Sequence, residues 1–137
     1  MIRTTIISFL TLSSLQIQAA NITQIGRYAT VSNQPLAAQI NPLKTVQQIY
    51  FPSSVQTIGE AVGYWLRYSG YHLAPQDKQS ESLTQILQQP LPQVTRHLGP
   101  LTIADGLSVL VGKSLFTLKQ DDLSREINFS FNARRAQ

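Results

Sequence analysis

Cysteine is absent from the 137 residues, and that single gap removes several chemistries at once. Thiolate nucleophiles, thiolate zinc sites and disulfide staples all need a sulfur that the chain does not carry. A lipid anchor attached through cysteine is excluded with them. Histidine is nearly as scarce: His72 and His97 are the only two, and neither has the spacing to a second ligand that a metal or acid/base centre requires. Positive charge is present but unclustered. The formal net charge is +4, yet Arg27, Lys44, Arg67, Lys78, Arg96, Lys113, Lys119 and Arg125 are scattered and only Arg134 and Arg135 adjoin. A basic face of the kind that tracks nucleic acid is missing, so no nucleic-acid partner is expected.

Two apparent motifs fail on inspection. Val111-Gly112-Lys113-Ser114 ends like a phosphate-binding loop, but the glycine that should stand five positions before the Gly-Lys pair is Leu107. The run also follows a helix pattern, whereas such a loop must precede one. Serine and threonine are frequent, but none sits in a nucleophile-elbow context. No catalytic residue, cofactor or metal site is expected. A hydrolase survives only as a concealed arrangement of His72 or His97 with a serine and an acid.

What is present is a duplication. Thr57-Ile58-Gly59-Glu60-Ala61-Val62-Gly63 recurs forty-five positions later as Thr102-Ile103-Ala104-Asp105-Gly106-Leu107-Ser108. Each copy reads as a helix start, with Thr57 or Thr102 as N-cap and Glu60 or Asp105 at the third helical position to complete a capping box. Behind the caps, Ile58, Ala61, Val62, Trp65 and Leu66 fall on one helical face, and Ile103, Gly106, Leu107, Leu110 and Val111 repeat it. Gly70 and Gly112 are the expected C-terminal stops, since glycine takes a left-handed conformation without a Cβ penalty.

The strand signals fall around these helices. Thr45 to Phe51 is rich in β-branched and aromatic residues, and Tyr71 to Ala74, Gln93 to Leu98 and Leu115 to Leu118 are shorter strand-like runs. A Gly99-Pro100 turn leads to the second helix, Glu81 to Gln89 is a short helix, and Arg125 to Phe131 a last alternating strand. The fold expected is α+β: two strand-helix-strand units forming one small sheet, with two helices on one face.

The ends read differently. Residues 1–19 have a positive start at Arg3 and an apolar stretch from Thr5 to Leu15 too short to span a bilayer, with signal-peptidase cleavage expected at Ala19 or Ala20. Loss of Arg3 with that segment would lower the formal charge from +4 to +3. Residues 20–44 read as an extended segment or edge strand followed by a linker, and from Asn33 to Lys44, with Pro35 and Pro42, the chain is expected to tether or wrap rather than pack. The domain proper is expected over 45–131, with 132–137 a disordered tail.

Exposed aromatic and strand-edge positions are the candidate contacts. Trp65 belongs to the buried stripe, whereas Tyr64 and Tyr68, four apart, flank it. The free edges expected are Arg27 to Val31, carrying Arg27 and Tyr28, and Ile127 to Phe131, carrying Phe129 and Phe131.

Phe51-Pro52, Val55 to Ala61 and Ser69-Gly70-Tyr71, followed by Gln89 to Pro92, Arg96, Leu98 to Leu101 and Asp105-Gly106-Leu107, carry a resemblance. With the upstream Arg27-Tyr28, that order and spacing resembles the N-terminal region of PilL proteins of integrative conjugative elements. The resemblance covers most of the chain after residue 19. It implies a periplasmic component of a type IV pilus or DNA-transfer apparatus, with units similar to the short N-terminal domains of secretins and TonB-dependent receptors and to the toxin-coregulated pilus Q family. Some relatives are lipoproteins, which the lack of cysteine sets apart from this chain. The implied role is docking onto a secretin or pilus protein, and the resemblance supplies no catalytic residues. The alternative expectation is a peptidoglycan binder that grips the wall through basic and tyrosine side chains.

Overall fold

Residues 22–132 are described by the computed structural model, and they divide into two bodies after Gln34. The first is a hairpin. Ile22–Gly26 (β1) pairs antiparallel with Ala29–Ser32 (β2), Arg27 and Tyr28 forming the turn, and the register slips between Gln24 and Gly26. Asn33 Nδ2 donates to Thr23 Oγ1 at 2.6 Å. The single extended segment expected here is thus folded back on itself. The signal segment 1–19, the cleavage point at Ala19 or Ala20 and the tail from 133 onward lie outside the described residues.

The second body begins where a linker was expected, and it packs. Ala37–Ile40 (α1) is one helical turn, and the Asn41 side chain then accepts from Leu43 N–H to cap a 3₁₀ turn at Pro42–Lys44. Leu43 is completely buried. Proline at the start of that turn costs no hydrogen bond, and its fixed φ steers Leu43 into the core. The packed domain therefore starts earlier than residue 45.

From there the order is Val46–Tyr50 (β3), Ile58–Leu66 (α2), His72–Leu73 (β4), Glu81–Leu87 (α3), His97–Thr102 (β5), Ile103–Val111 (α4), Phe116–Asp121 (β6) and Glu126–Phe131 (β7). The α+β class holds. The strands do not join in one sheet, however: β3 pairs antiparallel with β5, while β4, β7 and β6 form a separate three-stranded sheet in that order. Separation follows from β4, whose two residues pair only with Glu126 and Ile127 and leave nothing to bridge toward β3.

Both duplicated helices form where their caps and stripes place them. Thr57 Oγ1 accepts from Glu60 N–H at 3.2 Å, and the Glu60 carboxylate reaches back to the N–H groups of Gln56 and Thr57. Thr102 Oγ1 likewise accepts from Asp105 N–H at 3.1 Å, but the shorter Asp105 side chain takes the Thr102 hydroxyl instead of a backbone donor. The second cap is therefore a half-box. Ile58, Ala61, Val62, Trp65 and Leu66 are buried, as are Ile103, Gly106, Leu107, Leu110 and Val111. Phe51, just after β3, and Phe116, Ile127 and Phe129 from the three-stranded sheet complete a single core with Leu83 and Leu87 of α3.

The helices meet at Gly106. A Cβ placed there would lie 1.9 Å from the Trp65 ring, so the indole occupies the volume that a side chain in the second copy would need. Trp65 Nε1 still finds an acceptor, Gln47 Oε1 at 3.2 Å.

Four local expectations change. Gly112 is the C-cap of α4 with φ 104°, but α2 ends at Leu66 with Arg67 as its C-cap. Ser69 closes that end through its N–H and hydroxyl, both donated to Leu66 C=O, and Gly70 turns the chain beyond it with φ 76°. Gly99 and Pro100 do not form a turn but a bulge inside β5, joined by a cis peptide. Gln93–Thr95, expected as strand, is a 3₁₀ turn before it. Finally, Asn132 is tied back to Leu115 C=O and Thr117 Oγ1 and so belongs to the packed body. Among the described residues no helix is long and apolar enough to cross a membrane.

Candidate functional site

The backbone ladder of the β3–β5 sheet decides which polar groups face outward. Ile103 N–H donates to Thr45 C=O at 3.1 Å and Phe51 N–H to Arg96 C=O at 2.9 Å, bracketing the register Val46↔Thr102 and Tyr50↔His97. Successive residues of a strand alternate their backbone groups from one edge to the other. Gln47 and Ile49 therefore face β5, and Val46, Gln48 and Tyr50 turn their N–H and C=O groups away from it. No described group bonds to those outward amides and carbonyls.

The side chains repeat the division. Ile49 packs against the core and Gln47 reaches Trp65, whereas Val46 and Tyr50 are 62% and 65% exposed. Tyr50 is held flat against His97, ring centroids 4.0 Å apart and planes 11° off parallel, and Gln48 Nε2 lies 2.6 Å from His97 Nε2. The outer face of β3 is thus a short, ordered, uncharged row.

Other edges of this body carry protection that β3 lacks. Folded proteins blunt strand edges with charge, proline, bulges or brevity. Along β5 stand the Gly99–Pro100 bulge and a proline without an N–H. On β6 are Lys119 and Asp121, and Asn41 Nδ2 donates to Gln120 Oε1 at 3.1 Å. The β4 edge is two residues long. Among the described strands of this body, only Val46–Tyr50, reading Val-Gln-Gln-Ile-Tyr, has neither charge nor proline nor glycine across a five-residue edge.

The contact residues expected from sequence are dispersed. Phe129 is 2% exposed and forms part of the core, because β7 is the central strand, paired along its whole length with β6 and at Glu126 and Ile127 with β4. Its side chain is therefore not a partner contact, and Ile127 to Phe131 is not an isolated edge strand: β6 pairs its whole length and β4 its first residue, Ile127. Phe131 at the strand end is partly exposed, its ring edge-on to Phe116 at 5.5 Å. Arg27 and Tyr28 occupy the hairpin turn, with Tyr28 98% exposed. Tyr64 and Tyr68 do not form a helical pair, since α2 stops at Leu66 and Tyr68 stands in the turn beyond it.

A second surface lies along α2. Ser54, Val55, Glu60, Tyr64 and Arg67 line an open depression of about 340 Å³. Tyr64 rests edge-on against Phe51, and the Arg67 guanidinium sits 5.2 Å from its ring centroid, a cation–π distance. The backbone N–H groups of Gln56 and Thr57 hold the Glu60 carboxyl below the usual range. That carboxylate is committed to the helix cap.

The polar groups elsewhere serve the fold. Tyr71 O–H donates to Asp122 Oδ1 at 2.6 Å, Gln120 donates to both, and Arg125 stacks over the Tyr71 ring. Burial pushes the Tyr71 hydroxyl pKa up, while its hydrogen bond draws the Asp122 carboxyl down. The cluster pins the β6–β7 turn. His72 is paired in register with Glu126 in the three-stranded sheet and His97 lies in the other sheet, so the two imidazoles serve different elements. Among the described residues neither bonds to a serine or an acid, and no three His, Asp or Glu residues are grouped to hold a metal.

The sequence predicts the strand over Thr45 to Phe51 but carries no direct signal of its open edge. The missing signal was pairing: which neighbour a strand takes is set by residues far along the chain. The nearest sequence clue was the lack of charge between Lys44 and Arg67 apart from Glu60. No family model, curated protein or solved structure matches the chain.

Proposed function

We propose that this chain is a non-enzymatic periplasmic component of a conjugative type IV pilus or secretion apparatus. It docks onto a channel or pilus assembly protein by accepting an extended segment along β3. The observation that carries this reading is the bare, five-residue, uncharged edge at Val46–Tyr50 beside edges that are otherwise guarded. Strand addition draws affinity from main-chain hydrogen bonds and selectivity from alternate side chains, and β3 offers both, with Val46, Gln48 and Tyr50 on the solvent face. The PilL-like order of residues supplies the setting, and the signal-like residues 1–19 supply the route of export.

The test is co-purification from envelope extract at native expression. Wild type is expected to recover a pilus or channel component, and Gln48→Pro, which removes an outward N–H from a position already unpaired, is expected to lose it. Recovery of no such component by wild type, or equal recovery by both, contradicts the proposal.

A second reading rests on the α2 depression. Tyr64 and Arg67 together offer an aromatic face and a cation suited to a wall polymer carrying sugars and carboxylates. Co-sedimentation of the purified chain with protein-free sacculi, abolished by Arg67→Ala, would favour this reading over the first.

A further inference from the structure

The outward residues of β3 are nearly symmetric about their centre. Reading Val46, Gln48 and Tyr50 in one direction and a second copy in the other brings Gln48 opposite Gln48 and Val46 opposite Tyr50 at both ends. In an antiparallel ladder, two residues that both direct their backbone groups across the interface exchange two hydrogen bonds, one in each direction. All three positions meet that condition, since the β3–β5 register turns each of them outward. Three matched pairs provide about six main-chain hydrogen bonds.

We infer that β3 pairs with β3 of a second copy across a two-fold axis at Gln48, joining two β3–β5 sheets into one four-stranded sheet and masking the edge until a partner displaces it. This rests on the strand-addition reading of that edge. The chemistry at each position favours the match. Val46 opposite Tyr50 is a β-branched and aromatic cross-strand pair, a favourable class. Gln48 opposite Gln48 allows an amide to donate and accept at once.

No like charge is brought together. The nearest charged residue preceding the strand is Lys44, and in this register it falls opposite Pro52, leaving the two lysines about 27 Å apart along the ladder. The stacking of Tyr50 on His97 fixes its ring before pairing, which reduces the ordering cost of association. The contact is isologous, so it closes at two copies and does not propagate from this edge. On the far side of each sheet, the β5 bulge and Pro100 block further addition.

Sedimentation velocity over a concentration series, from about 1 µM to about 500 µM to bracket a weak edge contact, tests this on the purified chain. Wild type is expected to pass from monomer to dimer. Gln48→Lys sets two ammonium groups against each other at the axis and is expected to weaken association on the order of tenfold. Gln48→Pro is expected to abolish it. Because the chain has no cysteine, Gln48→Cys introduces a unique thiol at the axis, where opposed Cα atoms about 5.5 Å apart fall within disulfide reach. Oxidation is expected to crosslink this variant and not Thr117→Cys on the other sheet.

A wild type that stays monomeric throughout, or a dimer indifferent to Gln48→Pro with no crosslink through position 48, overturns the inference. The two readings fail separately. A monomer that still recovers its envelope partner through β3 sinks self-pairing alone, and a dimer that recovers no partner sinks the docking role alone.

Discussion

The two copies of the duplicated unit bury the same stripe and present different rims. Ile58, Ala61, Val62, Trp65 and Leu66 match Ile103, Gly106, Leu107, Leu110 and Val111 position for position, and all ten are buried. Where the copies meet, the match becomes complementarity: Trp65 is large where Leu110 is medium, and Gly106 vacates what Ala61 fills. Outside the core the resemblance ends. The first copy's strand, β3, has an open edge, whereas β5 of the second is bulged and contains a proline. A shared core constrains both copies alike, and rims facing solvent are free to diverge toward different tasks.

The most severe way to break this comparison is at Trp65. Trp65→Ala is expected to cost about 3–5 kcal/mol by urea unfolding, more than the matching Leu110→Ala; equal losses would mean that the indole does not anchor the helix contact. A finer cut uses Gly106. Gly106→Ala is expected to destabilise by about 1–3 kcal/mol through overpacking, although alanine is the better helix former. Combining it with Trp65→Leu should cost less than the sum of the two, because the smaller side chain vacates the space; strict additivity would contradict direct contact.

The caps provide a smaller contrast. Thr57→Ala and Thr102→Ala should each lose about 1 kcal/mol in thermal or urea unfolding. The Glu60 carboxyl is held below its ordinary range by the N–H groups of Gln56 and Thr57. Its contribution is therefore complete above the ordinary glutamate pKa and disappears as pH falls through the lowered folded value. Glu60→Gln should flatten the acid limb of the stability profile, and an unchanged limb would show that the reciprocal cap is not formed. Smallest of all is Tyr68→Ala, expected to leave stability within about 0.5 kcal/mol because the side chain stands 91% exposed beyond the helix. A larger loss would place Tyr68 in the packed body.

Both helices, their caps and their buried faces were legible because helix formation is governed by residues three and four apart. Sheet organisation was not. Ile127 to Phe131 alternates as an edge strand would, yet β6 pairs its whole length, β4 reaches its first residue, and Ile127 and Phe129 turn into the core. Leu43 looked like part of a linker because Pro35 and Pro42 exclude a long helix, but proline at the first position of a 3₁₀ turn supports packing. Gly99-Pro100 carried a turn signal and proved a bulge, since a Cβ at Gly99 would stand 2.5 Å from Gln47 C=O and only glycine admits β3 so closely. In each case the deciding contact joined residues distant in sequence. The site shares that limitation: Tyr64 and the Thr57–Glu60 cap were recognisable locally, and the open edge of β3 was visible only once its partner was known.

Amide hydrogen exchange along β3 examines that edge residue by residue. At dilution the N–H groups of Val46, Gln48 and Tyr50 should exchange rapidly while those of Gln47 and Ile49 are protected, and raising the chain concentration should slow the first set selectively. Equal protection at all five positions under dilution, or rapid exchange of the outward three at every concentration and with envelope partner added, would contradict an edge built to receive another strand.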